Sequence, residues 1–334
     1  MFNSAYENTR SVAELVIGYM ISLSRKLGDK NINMHSGKWD KTSKDCNELR
    51  NKKLGIIGYG SIGSQLGVLA EMFGLDVYYY DIEPKLKYGK AIRIDDLNKL
   101  LSSVDFVSLH VPLTQLTRNM IGEHQLNTMK KGSYLINASR GLVVDTTAVA
   151  KSLKDGHLGG AAFDVYPKEP KKNGFIPEDM TEINVLLDCP NTILTPHIGG
   201  STEEAQYNIG VDVANKLINY ITYGVSLGSV NFPQLNQVIT NDSDDQEPVK
   251  KKRKLENTSN KIKIFNIHKN KPGSINKINE LFKETNISNQ ILSTKNEIGC
   301  TIIELDNIDE LVVDNLIKNI NTLEISISTR VLNY

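Results

Sequence analysis

Between residues 53 and about 197 the chain alternates short apolar runs with stretches in which apolar residues recur every three or four positions. The runs cover 54–58, 77–80, 106–111, 134–137, 160–165 and 192–195. They are too short for helices and apolar on both faces, as strands of a parallel sheet covered on two sides must be. The pattern predicts a doubly wound parallel sheet. Upstream, Val12, Leu15, Val16, Tyr19 and Leu23 recur at helical spacing and predict a buried helix over 11–24. Glu14 at its start and Arg25 at its end leave an uncharged stretch well short of the roughly 18 residues of a membrane span, and no small-residue cleavage pattern follows. Ser201, with Glu204 three residues on, forms a capping box that opens another helix, running to about Tyr223.

The pattern then breaks. Residues 234–260 have almost no apolar periodicity and carry an acidic run, 242–247, followed by Lys250-Lys251-Lys252-Arg253-Lys254, the composition of a charged linker. Beyond it, 261–267 alternates like a strand, Asn270-Lys271-Pro272-Gly273 is a turn, and 275–282 has a helical stripe. Strands over 286–293, 298–305 and 325–332 and a helix over 310–320 complete a βαββαβ order. The expected class is therefore α/β, a Rossmann-like domain followed by a small α+β domain.

Composition adds a few exclusions. With 39 basic and 39 acidic residues among 334, no net charge draws the chain to nucleic acid or an anionic membrane. The three cysteines, Cys46, Cys189 and Cys300, are far apart and lack CxxC spacing, which fits a reducing, cytoplasmic setting without disulfides or zinc. His35, His110, His124 and His157 show no ligand spacing, so no metal is expected.

Gly58-Tyr59-Gly60-Ser61-Ile62-Gly63 follows the first apolar run and leads into a helical stretch, the context in which G-x-G-x-x-G indicates a dinucleotide site. Gly58 permits the tight turn, Gly60 the approach of a pyrophosphate, and Gly63 close packing of helix on strand. Asp81, at the end of the next strand, suits ribose hydroxyls and would repel a 2′-phosphate, so NAD is expected over NADP. Ligands in such sheets bind beyond the carboxyl ends of the strands. Those ends deliver Arg140, Glu169 and His197. Together they suit oxidation of a 2-hydroxy acid: Arg140 holds the carboxylate, His197 takes the hydroxyl proton, and Glu169 orients His197. Taken singly, each has a bland alternative: a surface ion pair, a solvated loop acid, a structural histidine.

The segments 57–63, 137–141, 162–170 and 194–200, with Phe2-Asn3, 8–15 and 230–233, resemble the D-isomer-specific 2-hydroxyacid dehydrogenases. The resemblance implies Arg140, Glu169 and His197 as the catalytic set. It also places Ser61, Ile62, Asp81, Ala138, Ser139, Arg140, Asp164, His197, Ile198, Gly199 and Gly200 around NAD, and Asn8 with Arg140 at the substrate. Within the family the likeness is to enzymes that oxidise 3-phosphoglycerate, the opening step of serine synthesis. The tail resembles an ACT domain, which implies L-serine as effector, held by His268, Asn270 and Asn286 across a dimer interface. Family self-association implies a homo-tetramer, and Trp39 matches a position near a subunit contact, although a buried core tryptophan is an equal reading. On this resemblance residues 1–200 form the NAD domain, 201–233 the returning part of a substrate domain whose N-terminal lobe is lacking, 234–260 the linker and 261–334 the ACT-like domain. Two other readings stay open: a catalytically impaired subunit that binds NAD or serine, and an NAD-sensing nuclear regulator imported through the basic run.

Overall fold

The apolar runs form the seven-stranded parallel sheet that their pattern implies, joined by a two-residue strand that the pattern does not announce. The structure is a computed structural model that describes residues 1–236, 261–306 and 308–332. The basic run 250–254 and all but the first residues of the expected linker lie outside the described residues. The chain divides into two units, Tyr6–Tyr207 and Met1–Ala5 with Asn208–Tyr334.

In the first unit the strands are β1 (Lys53–Ile57), β2 (Asp76–Tyr80), β3 (Ile92–Arg93), β4 (Phe106–Leu109), β5 (Tyr134–Asn137), β6 (Gly160–Phe163) and β7 (Thr192–Leu194), in the order β3-β2-β1-β4-β5-β6-β7. Alternate side chains enter two cores. Leu54, Ile56, Phe106 and Ile136 pack with Val16, Met20 and Leu23 of α1 (Thr9–Arg25) and Leu66 of α3 (Ser61–Met72). Ile57, Val107, Leu109 and Leu135 face Leu100 and Leu101 of α4 (Leu97–Ser103) and Val149 of α6 (Thr146–Lys154) on the other side. Burial on both faces explains why these strands are continuous apolar runs rather than alternating ones. Shorter helices are α5 (Glu123–Thr128), between β4 and β5, α7 (Thr181–Leu187), between β6 and β7, and α2 (Leu27–His35), which follows α1. Beyond it Trp39 is 78% exposed, which overturns the core reading of that residue.

The long helix α8 (Glu203–Tyr223) begins one residue later than the capping-box spacing requires. Ser201 donates its amide to Ile198 in the preceding turn, and the hydroxyl that accepts the Ala205 amide is that of Thr202, at 3.2 Å. Thr202 is the cap.

In the second unit β8 (Lys261–Lys269), α9 (Ser274–Glu280), β9 (Ile287–Lys295), β10 (Ile298–Asp306), α10 (Glu310–Thr322) and β11 (Ser326–Leu332) form an antiparallel sheet ordered β11-β8-β10-β9. Ile264, Ile303 and Leu305 pack beneath Ile278, Leu316 and Ile320 of the two helices. The opposite face buries Phe265 and Ile302 with Leu235, and against it pack Tyr220 and Phe232. Arg330 stacks over the Tyr220 and Phe265 rings and donates to the Tyr220 and Ile221 carbonyls at 2.5 and 2.6 Å, satisfying the last turn of α8. These contacts explain why 208–236 clusters with the tail, the boundary falling after Tyr207 rather than after Gly200.

Candidate active site

The parallel register sets Ile57 level with Tyr80 and Leu109, Leu109 with Asn137, Asn137 with Phe163, and Phe163 with Leu194. Whatever follows these strands therefore arrives at one rim. It carries Gly58, Asp81, Ala138 to Arg140, Asp164 and the Thr195 to Gly200 loop. The connections diverge on either side of β1, which has β2 on one flank and β4 on the other. A doubly wound sheet binds ligands at that divide.

At the divide Gly58 has φ +91°, and a Cβ there would lie 2.4 Å from the His110 carbonyl oxygen. A Cβ on Gly63 would lie 2.1 Å from the Gly58 carbonyl oxygen, so α3 starts pressed against the turn. Gly60 faces open space. As N-cap of α3 it supplies no side-chain acceptor, and the first amides of the helix stay available to an anion. Ser61 and Ile62 form the first turn beside it, Ser61 exposed and Ile62 half-buried. Asp81 accepts the Tyr59 amide at 2.8 Å and the Glu83 amide at 2.9 Å, which fixes the acid beside the glycine turn. An open glycine, unfilled amides at a helix start and a fixed carboxylate fit an NAD pyrophosphate and ribose.

Past β5 the buried Asn137 side chain folds the chain back on itself. Its Oδ1 accepts the Ser139 amide and hydroxyl at 3.1 and 2.8 Å, and its Nδ2 donates to the Arg140 carbonyl at 3.1 Å. Arg140 is thereby held exposed at the rim while Ser139 is buried and Ala138 half-buried. Gly141 then meets the next loop so closely that a Cβ would lie 1.9 Å from the Tyr166 carbonyl carbon. In that loop Glu169 accepts the Tyr166 amide at 3.0 Å with Oε1 and pairs with His197 Nδ1 at 2.8 Å through Oε2. A carboxylate on Nδ1 selects the tautomer whose Nε2 carries the lone pair. Arg140, Glu169, His197 and Leu113 line one open depression of about 310 Å³.

His197 itself sits at φ 54°, in the left-handed region, where a non-glycine residue needs support. Asp164 provides it. Buried at the end of β6, it accepts the Ile198 and Gly199 amides at 2.8 and 2.7 Å and the Thr195 hydroxyl at 2.5 Å. The family resemblance places Asp164 around the cofactor; in the structure its bonds go to the loop that carries His197. Gly200 packs against Asn8, whose Nδ2 would lie 2.8 Å from a Cβ there, so Asn8 belongs to the same rim.

Sequence reasoning missed Asn137, Thr195 and Tyr166. The Tyr166 hydroxyl, its pKa pushed far up by burial, bridges the Phe163 and Thr195 carbonyls at 3.1 Å each. Only the position of these residues beside strand ends could have drawn attention to them.

The three expected effector residues do not meet in one chain. His268 is buried, shares Nδ1 with Asn266 Oδ1 at 3.0 Å, and has its pKa lowered by burial. Asn270 is exposed and donates to the Asn296 carbonyl at 2.9 Å. Asn286 precedes β9, whose Ile287 pairs with Leu305 and through it with Ile262, at the other end of β8. Among the described residues no group of three or more His, Cys, Asp or Glu could hold a metal ion, and no helix is long and apolar enough to cross a membrane.

Residues 17–199 match the family described as D-isomer specific 2-hydroxyacid dehydrogenase, NAD binding domain. The chain is 48% identical over 332 residues to the D-3-phosphoglycerate dehydrogenase of Dictyostelium discoideum, covering 99% of this chain and 75% of that one. D-3-phosphoglycerate dehydrogenase 1 of Saccharomyces cerevisiae is 44% identical over 335 residues, 99% of this chain and 68% of its own length. Among solved structures, the NAD-complexed D-isomer specific 2-hydroxyacid dehydrogenase of Lactobacillus delbrueckii ssp. bulgaricus superposes with a TM-score of 0.60 at 32% identity, over 65% of this chain and 67% of that one. The chain belongs to the NAD-dependent D-isomer specific 2-hydroxyacid dehydrogenases, in the D-3-phosphoglycerate dehydrogenase group.

Proposed function

We propose that this chain oxidises D-3-phosphoglycerate to 3-phosphohydroxypyruvate, with Arg140, Glu169 and His197 as its catalytic residues. The observation that carries the reading is the 2.8 Å pair of Glu169 and His197 in a depression shared with Arg140. NAD, when bound, supplies the acceptor for the hydride from C2. Gly58, Gly60, Ser61, Ile62, Gly63 and Asp81 hold its pyrophosphate and adenosine side, and Ala138, Ser139, Arg140 and the His197 to Gly200 loop hold its reactive end. Arg140 grips the substrate carboxylate in a planar fork, with Asn8 beside it. His197 Nε2 accepts the hydroxyl proton, and Glu169 stabilises the imidazolium that results.

The test is NADH formation from D-3-phosphoglycerate against D-lactate. Glu169→Gln is expected to lower kcat by about two to three orders of magnitude while NAD still binds. NAD binding without turnover by the unaltered chain would refute the reading in favour of an impaired subunit. L-serine as effector belongs to the same proposal. With Asn286 at the far end of the sheet, it would lie between the His268 and Asn270 of one copy and the Asn286 of another. The exposed Trp39 supports self-association toward a homo-tetramer, and a cytoplasmic setting suits the free cysteines.

A further inference from the structure

Tyr19 is buried in α1, among the core residues of the sheet, yet its hydroxyl does not end in the core. It touches the Thr195 hydroxyl, 176 residues further along the chain. The direction of this contact follows from the next one. Thr195 has a single hydroxyl proton and gives it to Asp164 Oδ1 at 2.5 Å, the carboxylate oxygen that also accepts the Ile198 amide. Thr195 Oγ1 must therefore accept from Tyr19. The same Asp164 holds the Ile198 and Gly199 amides that flank His197. Thr195 is tied at its other polar groups too: its amide donates to the Phe163 carbonyl at 3.0 Å and its carbonyl accepts from Tyr166.

We propose that Tyr19 is a positioning residue for the dehydrogenase reaction: its phenol donates to Thr195, orders the Thr195–Asp164 hydrogen bond, and thereby holds the left-handed loop that carries His197. The proposal rests on the function assigned to His197 above. Tyr19 makes no contact with the depression that holds Arg140, Glu169 and His197, so its effect runs through the loop. Burial raises the phenol pKa far above its ordinary value, which keeps the donor protonated throughout the working range of the enzyme. A directed chain of donors ending on a carboxylate is stiffer than its separate bonds, and here it replaces the support that a glycine would otherwise give at φ 54°.

Amide hydrogen exchange and steady-state kinetics on Tyr19→Phe test this. The change removes one oxygen and keeps the ring that fills the core. The Ile198 and Gly199 amides are expected to exchange about five- to tenfold faster, the effect of one lost hydrogen bond, while Leu135 and Ile136 in β5 keep their rates. kcat is expected to fall by a similar factor, with a smaller rise in KM for NAD, because Gly58 to Gly63 and Asp81 still hold its pyrophosphate and adenosine side. Thr195→Val should reproduce the loss, the double variant should be no worse than Thr195→Val alone, and Thr195→Ser should restore activity. Unchanged exchange at Ile198 and Gly199 would overturn the proposal, as would equal acceleration at Leu135 and Ile136, which would mark a general loss of packing. If the unaltered chain turns over no substrate, the assigned reaction fails, and exchange still decides the role of Tyr19.

Discussion

Replacing Gly141 with alanine tests whether the contact between the Arg140 and Glu169 loops sets the catalytic geometry. The new Cβ would stand 1.9 Å from the Tyr166 carbonyl carbon, 2.1 Å from its oxygen and 2.3 Å from the Pro167 nitrogen. Every one of these neighbours is backbone, so no side chain can swing aside. Ordinary contact begins near 3.4 Å, so the two loops must part by about 1.5 Å. Overpacking of this kind costs about 1–3 kcal/mol, a fall of roughly 5 °C in Tm for a unit of this size. The larger effect should be on rate. Arg140 precedes the substituted residue and Glu169 follows the displaced one by three positions, so both move relative to His197. A 1 Å misplacement of reacting groups lowers turnover by about a hundredfold. Thermal melting and NADH absorbance measure the two effects, with Gly18→Ala in α1 as control. Gly18 has nothing within 4 Å of its missing Cβ, and alanine there should add about 0.5–1 kcal/mol and leave kcat alone. If Gly141→Ala keeps kcat within about twofold of the parent, the reasoning that backbone contact sets this geometry is wrong.

Asp81→Asn should weaken discrimination against NADP by about a hundredfold, because the 2′-phosphate no longer meets a like charge; unchanged NAD to NADP ratios of kcat/KM would refute this. His110, partly buried beside Gly58, bonds Ser108 Oγ at 2.8 Å, and desolvation lowers its pKa from 6.5 to about 4. The unfolded chain takes up a proton below 6.5 that the folded chain refuses until about 4, so stability falls as pH drops through that window and this contribution levels off below it. The loss is on the order of 2 kcal/mol and should vanish in His110→Gln, as urea unfolding at pH 7 and 4.5 would show. Thr202→Ala should cost about 1 kcal/mol in urea unfolding, and Ser201→Ala much less; the reverse ranking would return the cap to Ser201.

The sheet was legible because strands buried on both faces leave continuous apolar runs, and the glycine fingerprint because a strand precedes it and a helix follows. β3 was not: two residues, Ile92 and Arg93, join the sheet by pairing with Tyr78 and Tyr79, and no periodicity fits in two positions. Adjacent hydroxyls at Ser201 and Thr202 hid the true cap, since spacing to an acid cannot say which one the turn leaves free. Arg140, Glu169 and His197 stood out as charged residues at strand ends. Asp164 stood there too, but whether its oxygens face a ligand or a loop depends on how the Thr195 to Gly200 segment folds back. Tyr19 read only as one member of a helical stripe, because periodicity records where a ring is buried and says nothing of what its hydroxyl meets. Asn286 follows the same logic: nearness along the chain to one end of a strand does not reveal which end of the sheet that is.

The left-handed backbone at His197 narrows what evolution and the experimenter can do there. Glycine aside, asparagine, aspartate and histidine visit that conformation most readily, so the backbone favours a residue type that the chemistry also needs. A change to alanine removes the base and also strains the turn, and its phenotype mixes two losses. Asparagine leaves the backbone content and removes only the proton acceptor. A lineage that abandoned the reaction but kept the fold would be expected to drift first to asparagine or glycine here, which makes this position a record of whether catalysis is still under selection.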